Sequence, residues 1–177
     1  SKVVSSITDI GSDWHKNNIM KNNISNMGFI EKDILTTHCQ DGSVLSGHVS
    51  HKGIPGVELS TGSLGHGLGV GCGIAKALKL RKSSSKVFVL LSDGECDEGS
   101  VWEAALFAQH HLLNNLVAII DYNKLQSLAT IKETMNLEPL RKKWESFNWE
   151  VYEVNGHEHN ELLNVFNTLS NNSSKPK

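Results

Sequence analysis

The strongest hydrophobic patterning lies in the middle of the chain. Between 65 and 80 the residues are apolar or small, with Leu68, Val70, Ile74, Ala75, Ala77 and Leu78 recurring at helical spacing, and a tightly packed helix is predicted. Gly67, Gly69, Gly71 and Gly73 fall inside it. Each would weaken an exposed helix by roughly 1 kcal/mol relative to Ala, so they imply a neighbour at close approach. A polar turn at 83–86 follows. Residues 87–91 form a continuous β-prone run, the pattern of a strand buried on both faces. Residues 99–113 are amphipathic, with Trp102, Ala105, Leu106, Ala108, Leu112 and Leu113 on the apolar face, and Asn114 and Asn115 end that helix. A second buried strand is predicted over 116–120, and a helix over 138–144 with Pro139 near its first turn. Residues 149–154 alternate and predict a third strand, and 160–169 a short helix.

The flanks are weaker. The first thirty residues are poorly patterned and crowded with Asn17, Asn18, Asn22, Asn23 and Asn26, with some helix expected over 24–29. Residues 31–59 are polar and punctuated by Gly42, Gly47, Gly53, Pro55 and Gly56, which reads as loop with a short helix near 31–35. The polar tail, 171–177, is expected to fray. Strand, helix, strand, helix, strand implies an α/β fold, a parallel sheet with right-handed crossovers and helices on both faces.

Composition narrows the function classes. The 177 residues make a single domain. Lys and Arg number 17 against 19 Asp and Glu, for a net charge of -2, which excludes a nucleic-acid partner held by bulk charge. No apolar run approaches the ~18 residues of a membrane span, and no basic-then-apolar leader opens the sequence. Cys39, Cys72 and Cys96 are odd in number and far apart, giving neither a disulfide framework nor a zinc knuckle. A reducing, cytoplasmic location is expected.

Candidate chemistry sits where the two central strands end, because open α/β sheets bind ligands beyond the carboxyl ends of their strands. The first runs into Ser92-Asp93-Gly94-Glu95 and the second into Asp121-Tyr122-Asn123-Lys124-Leu125. One crossover brings Asp93 and Asn123 to the same sheet edge. A carboxylate and an amide oxygen are hard donors suited to Mg²⁺ or Ca²⁺. Gly94 would let phosphate oxygens approach the backbone, and a helix starting near Gly99 would add a favourable dipole. Alone, Asp-Gly after a strand is an ordinary turn and Asn at a strand end an ordinary cap. Their joint placement across one βαβ unit favours a metal-bridged diphosphate.

The same residues carry a resemblance. Asp93-Gly94 followed by Asn123 is similar to the thiamine-diphosphate motif, with Ser92 in place of its first glycine. The segment from Thr61 through Gly62, Ser63, Leu64, Gly65, His66 and Gly67 to Leu68 resembles the TGxLGxGL stretch of transketolases. Gln40-Asp41-Gly42-Ser43, Gly47-His48, Pro55-Gly56-Val57-Glu58, 97–105 and 120–126 fit the same family. The match covers roughly 29–169 and is to the N-terminal, diphosphate-binding half of transketolase, most closely where that half is a separate subunit.

The resemblance implies a site. Asp93, Asn123 and the main-chain carbonyl of Leu125 would hold Mg²⁺ (or Ca²⁺). Gly94 would donate its N–H to the diphosphate, and Glu95 beside it would also bind the cofactor. Gly62, Leu64 and His66 would line thiamine diphosphate, although a histidine at a helix start also reads as a capping or packing residue. His48 would contact the donor substrate near the reacting carbon, and Glu98 would lie near a subunit interface. The implied reaction moves a two-carbon ketol unit from a ketose to an aldose, sugars or sugar phosphates. The glutamate that activates the cofactor belongs to the other half, so a C-terminal partner and an oligomer are implied. The early histidine motifs of the family are not found, and 1–177 is expected to be one domain incomplete at both ends. Two other readings stay open: a non-catalytic or partner-binding module of this fold, and a Mg²⁺-dependent phosphate-ester-binding α/β domain.

Overall fold

The computed structural model describes residues 3–9, 25–26, 28–48, 50–57, 59–126, 129–169 and 173–177. Its sheet has three parallel strands in the order β1 (Val3–Asp9), β2 (Lys86–Ser92), β3 (Leu116–Asp121). β2 and β3 stand where the apolar runs placed them. The third strand does not. It is β1, in the segment read as unpatterned, and 149–154 carries no strand. Alternation fixes which faces a segment presents, not which neighbour it pairs with. Residues 149–154 stand away from β3, with a cavity of about 700 Å³ lined by both. The Glu150 N–H donates instead to Pro176 O at 3.0 Å. The tail does not fray over 176–177. The Lys177 N–H donates to Leu116 O at 3.2 Å and Lys177 O accepts from Ala118 N–H at 2.7 Å, which leaves Lys177 buried.

Helix α1 (Gly67–Leu80) crosses one face of the sheet. Leu68, Cys72 and Ala75 meet Val87, Val89 and Leu91 there, and α2 (Gly99–His110) adds Val101, Ala104, Ala105 and Ala108. The expected close approach occurs at Gly71: a Cβ there would lie 2.5 Å from Val89 Cγ2. Gly69 and Gly73 face open space. β2 is therefore fully buried on one face and half-buried on the other, rather than sealed on both. The second face carries α5 (His159–Thr168), whose Phe166 ring meets Phe88 edge-on at 6.1 Å. Helices thus cover both faces. Two short helices, α3 (Ile131–Thr134) and α4 (Leu140–Ser146), lie between β3 and α5 in the chain. Trp144 and Trp149 close the core, and the Trp149 indole donates to Ala105 O at 3.1 Å.

The glycine-rich stretch before α1 has a small core of its own. A 3₁₀ helix (Lys32–Thr37) and the following turns bury Leu45, Ile54 and Val57 against Ile30, Ile34 and Leu35. That cluster fixes the loop bearing His48. The helix expected over 24–29 lies partly outside the described residues; Ser25 and Asn26 are helical.

Candidate functional site at the ends of β2 and β3

β2 and β3 run in register to their last residues, with Ser92 opposite Asp121. Asp93 and Asn123 therefore leave the sheet together. Asp93 is 1% exposed, and its Oδ2 accepts the Lys124 N–H at 2.8 Å. This bond joins the two strand ends directly. Asn123 is exposed; its Oδ1 accepts from the Leu125 N–H at 2.9 Å and its Nδ2 donates to Asp121 Oδ2 at 3.4 Å. Beyond them the chain folds back on itself. Gln126 N–H donates to Ala129 O at 2.9 Å, Ile131 N–H to Lys124 O at 3.2 Å, and Thr130 and Glu133 cap α3 reciprocally. The Leu125 main chain is held beside Asn123, while its side chain is 63% exposed.

Gly94 opens a 3₁₀ turn (Gly94–Asp97). A Cβ on it would meet the Gln126 side chain first, at 3.5 Å. Gln126 in turn donates to Asp97 Oδ2 at 2.9 Å, and Asp97 Oδ1 is buried with no partner among the described residues. The turn is electrically negative. The Cys96 thiol is pushed up to about 12, by burial first and then by the charges of Glu95, Asp93 and Asp97.

The loop before α1 brings the remaining candidates. Gly62 has φ +135°, a conformation that L side chains rarely adopt, and the His48 ring lies across it, with Nδ1 3.0 Å from where a Cβ would stand. Leu64 is half-buried. His66 is the residue before α1, exposed and making no side-chain capping bond. Glu95 is wholly buried, and its carboxylate takes the Gly65 and Ser92 N–H groups. Glu98 is exposed, with its Cβ 2.7 Å from where one on Gly65 would stand. The structure thus forms two tight groups, Asp93–Gly94–Asn123–Leu125 and His48–Gly62, and links the second loop to the first through Glu95.

The sequence reading missed three contributors. Gln126 covers Gly94, Ser100 donates to Gly65 O at 2.9 Å, and the Ser92 hydroxyl accepts the Glu95 N–H at 3.3 Å. The last occupies the position where the motif departs from glycine. The 700 Å³ cavity is not this site: it borders β3 on the side of 149–157, and among the candidates only Asn123 lines it. Among the described residues no three His, Cys, Asp or Glu gather as a metal cluster. At the strand ends stand a carboxylate, an amide oxygen and a main-chain carbonyl, oxygen groups of the kind hard cations take. No helix among the described residues is long and apolar enough to cross a membrane.

Comparison with known proteins identifies the family and the fold. The chain is 45% identical over 149 residues to one subunit of the apulose-4-phosphate transketolase of Phocaeicola vulgatus, covering 84% of this chain and 53% of that protein. It is 34% identical over 149 residues to a 6-deoxy-6-sulfo-D-fructose transketolase subunit of a Clostridium species, covering 84% of this chain and 54% of that protein. It spans about half the length of these curated relatives. The crystal structure of transketolase from Campylobacter jejuni superposes with a TM-score of 0.84 at 27% identity, over 97% of this chain and 28% of that one. Residues 27–177 match the family described as transketolase, thiamine diphosphate binding domain, and the chain belongs to that family.

Proposed function

We propose that this chain is the thiamine-diphosphate-binding part of a transketolase-like enzyme, acting with a second chain in two-carbon transfer between a ketose and an aldose. The observation that carries the reading is the bond from the Lys124 N–H to Asp93 Oδ2, which holds Asp93, Gly94, Asn123 and Leu125 together past the ends of β2 and β3. The residues present fit the cofactor. A carboxylate, an amide oxygen and a carbonyl provide hard donors for Mg²⁺ (or Ca²⁺), and Gly94 has no side chain of its own, so a diphosphate reaching its backbone has the flexible Gln126 side chain to move aside.

In this reading Asp93, Asn123 and the Leu125 carbonyl hold the cation, and the Gly94 N–H donates to the diphosphate. Gly62, Leu64 and His66 line the organic part of the cofactor. Bound thiamine diphosphate supplies the nucleophilic carbon and the electron sink that breaking a ketose C–C bond requires. His48, packed over Gly62, holds or moves a proton at the donor's reacting oxygen. Both relatives described above are named as transketolase subunits, which supports a partner chain; in this reading that partner completes the site and supplies the activating glutamate. Their names cite a sugar phosphate and a sulfosugar, which supports phosphorylated or similarly anionic sugars as substrates.

The test is isothermal titration with thiamine diphosphate and Mg²⁺, on the chain alone and mixed with a transketolase C-terminal half, followed by a ketol-transfer assay on the mixture. Mg²⁺-dependent binding and transfer in the mixture are expected. Absence of binding in both samples would overturn the reading, and binding without transfer would favour a non-catalytic module of the same fold.

A further inference from the structure

The Gly65 backbone is held on both sides of its Cα by the segment that carries Asp93. Its N–H donates to Glu95 Oε1 at 3.2 Å and its carbonyl accepts from the Ser100 hydroxyl at 2.9 Å. The other Glu95 oxygen, Oε2, accepts the Ser92 N–H at 2.9 Å, at the last residue of β2. The Ser92 hydroxyl accepts the Glu95 N–H at 3.3 Å and steadies the turn; a glycine at 92 would lack that acceptor. Glu95 is 0% exposed. A carboxylate taken out of water is retained where hydrogen bonds compensate its lost hydration. There is also no slack. Gly65 has φ +81°, and a Cβ on it would stand 2.6 Å from Ser100 Oγ and 2.7 Å from Glu98 Cβ. The loop at 61–66 and the turn at 93–97 are thereby one unit, although they are thirty positions apart.

We infer that Glu95 is a positioning residue: its carboxylate sets the placement of Gly62 and Leu64 against Asp93 and Gly94, and so the affinity for a metal-bound diphosphate, without touching that ligand. Only the affinity step rests on the proposed function; the coupling of loop to turn does not.

The experiment compares Glu95→Ala, Glu95→Gln and Ser100→Ala with the parent, in the assembly in which the protein is isolated. Amide hydrogen exchange at Gly65 is measured without ligand. Titration follows with Mg²⁺ plus thiamine diphosphate and with Mg²⁺ plus inorganic pyrophosphate. Loss of hydrogen bonds to a buried charged group predicts that Glu95→Ala speeds exchange at Gly65 and weakens both ligands by about tenfold or more. Exchange at Val89 and Ile119, inside the sheet, stays unchanged. Glu95→Gln keeps one acceptor oxygen and the side-chain shape and recovers part of both effects. Exchange at Gly65 unchanged in Glu95→Ala would overturn the inference, as would faster exchange with unaltered affinity. If the parent binds neither ligand, the proposed function fails while the exchange data still decide the coupling. If Glu95→Ala does not fold, the other two variants decide, and parental exchange and affinity in both would overturn the inference.

Discussion

Gly71→Ala is expected to destabilise the protein although it replaces a poor helix former with the best one. In an open helix position the exchange would gain about 1 kcal/mol. At Gly71 the new methyl would stand 2.5 Å from Val89 Cγ2 and 3.5 Å from Leu116 Cδ1. Val89 is 0% exposed in the middle strand, and its branched side chain has few rotamers into which to retreat. Overpacking of this kind costs about 1–3 kcal/mol. The net expectation is a loss of up to about 2 kcal/mol, or a few degrees in melting temperature for a chain of this size. Gly73→Ala is the control. It sits in the same helix, with nothing within 4 Å of its added methyl, and is expected to gain up to about 1 kcal/mol. Urea unfolding of the three proteins at equal concentration measures both signs. A Gly71→Ala variant that gains stability as Gly73→Ala does would refute the argument that close approach to β2 selects glycine there.

Two further predictions concern groups outside the site. A thiol reagent should modify Cys39 in the native protein and spare Cys72 and Cys96, which are buried and whose thiols are both pushed up to about 12; equal labelling of all three would contradict the packing of α1 and the 93–97 turn. Neither tyrosine should ionise at the ordinary value near 10. Tyr122 is pushed up to about 12 by burial and by the hydrogen bond it donates to Glu138, and Tyr152 is raised by its bond to Glu150 and by burial. Both folded values lie above the unfolded one, so their contribution to stability is complete below pH ~10 and is lost as the pH rises through the folded value of each, about 12 for Tyr122. Phenolate absorbance during a pH titration checks this, and ionisation of either residue at the ordinary value would contradict it.

What the sequence made legible was local. The Lys86–Ser92 and Leu116–Asp121 strands and the helices before and after the first of them were readable because each repeats its own period over many residues. Their parallel register then brings Asp93 and Asn123 to one sheet edge, so the placement of these two candidate residues was readable too. Partner choice was not readable. The Val3–Asp9 strand carries Ser5 and Ser6 in its middle and owes its place to pairing with β2, more than eighty positions away, whereas 149–154 alternates well and pairs with no strand. The tie between Glu95 and Gly65 was hidden for the same reason. A glutamate after Asp-Gly reads as one more acidic group at a ligand edge, and only the folded chain turns its carboxylate onto a peptide thirty positions back.

The metal assignment at Asp93 is the step on which everything proposed for the site depends. Titration of the parent and of Asp93→Ala with thiamine diphosphate, with and without Mg²⁺ and in the presence of the C-terminal half, isolates it. Saturable binding by the parent that requires Mg²⁺, and is abolished in Asp93→Ala while β2 and β3 keep their protection from hydrogen exchange, is the predicted result. An affinity unchanged by Asp93→Ala would contradict the assignment.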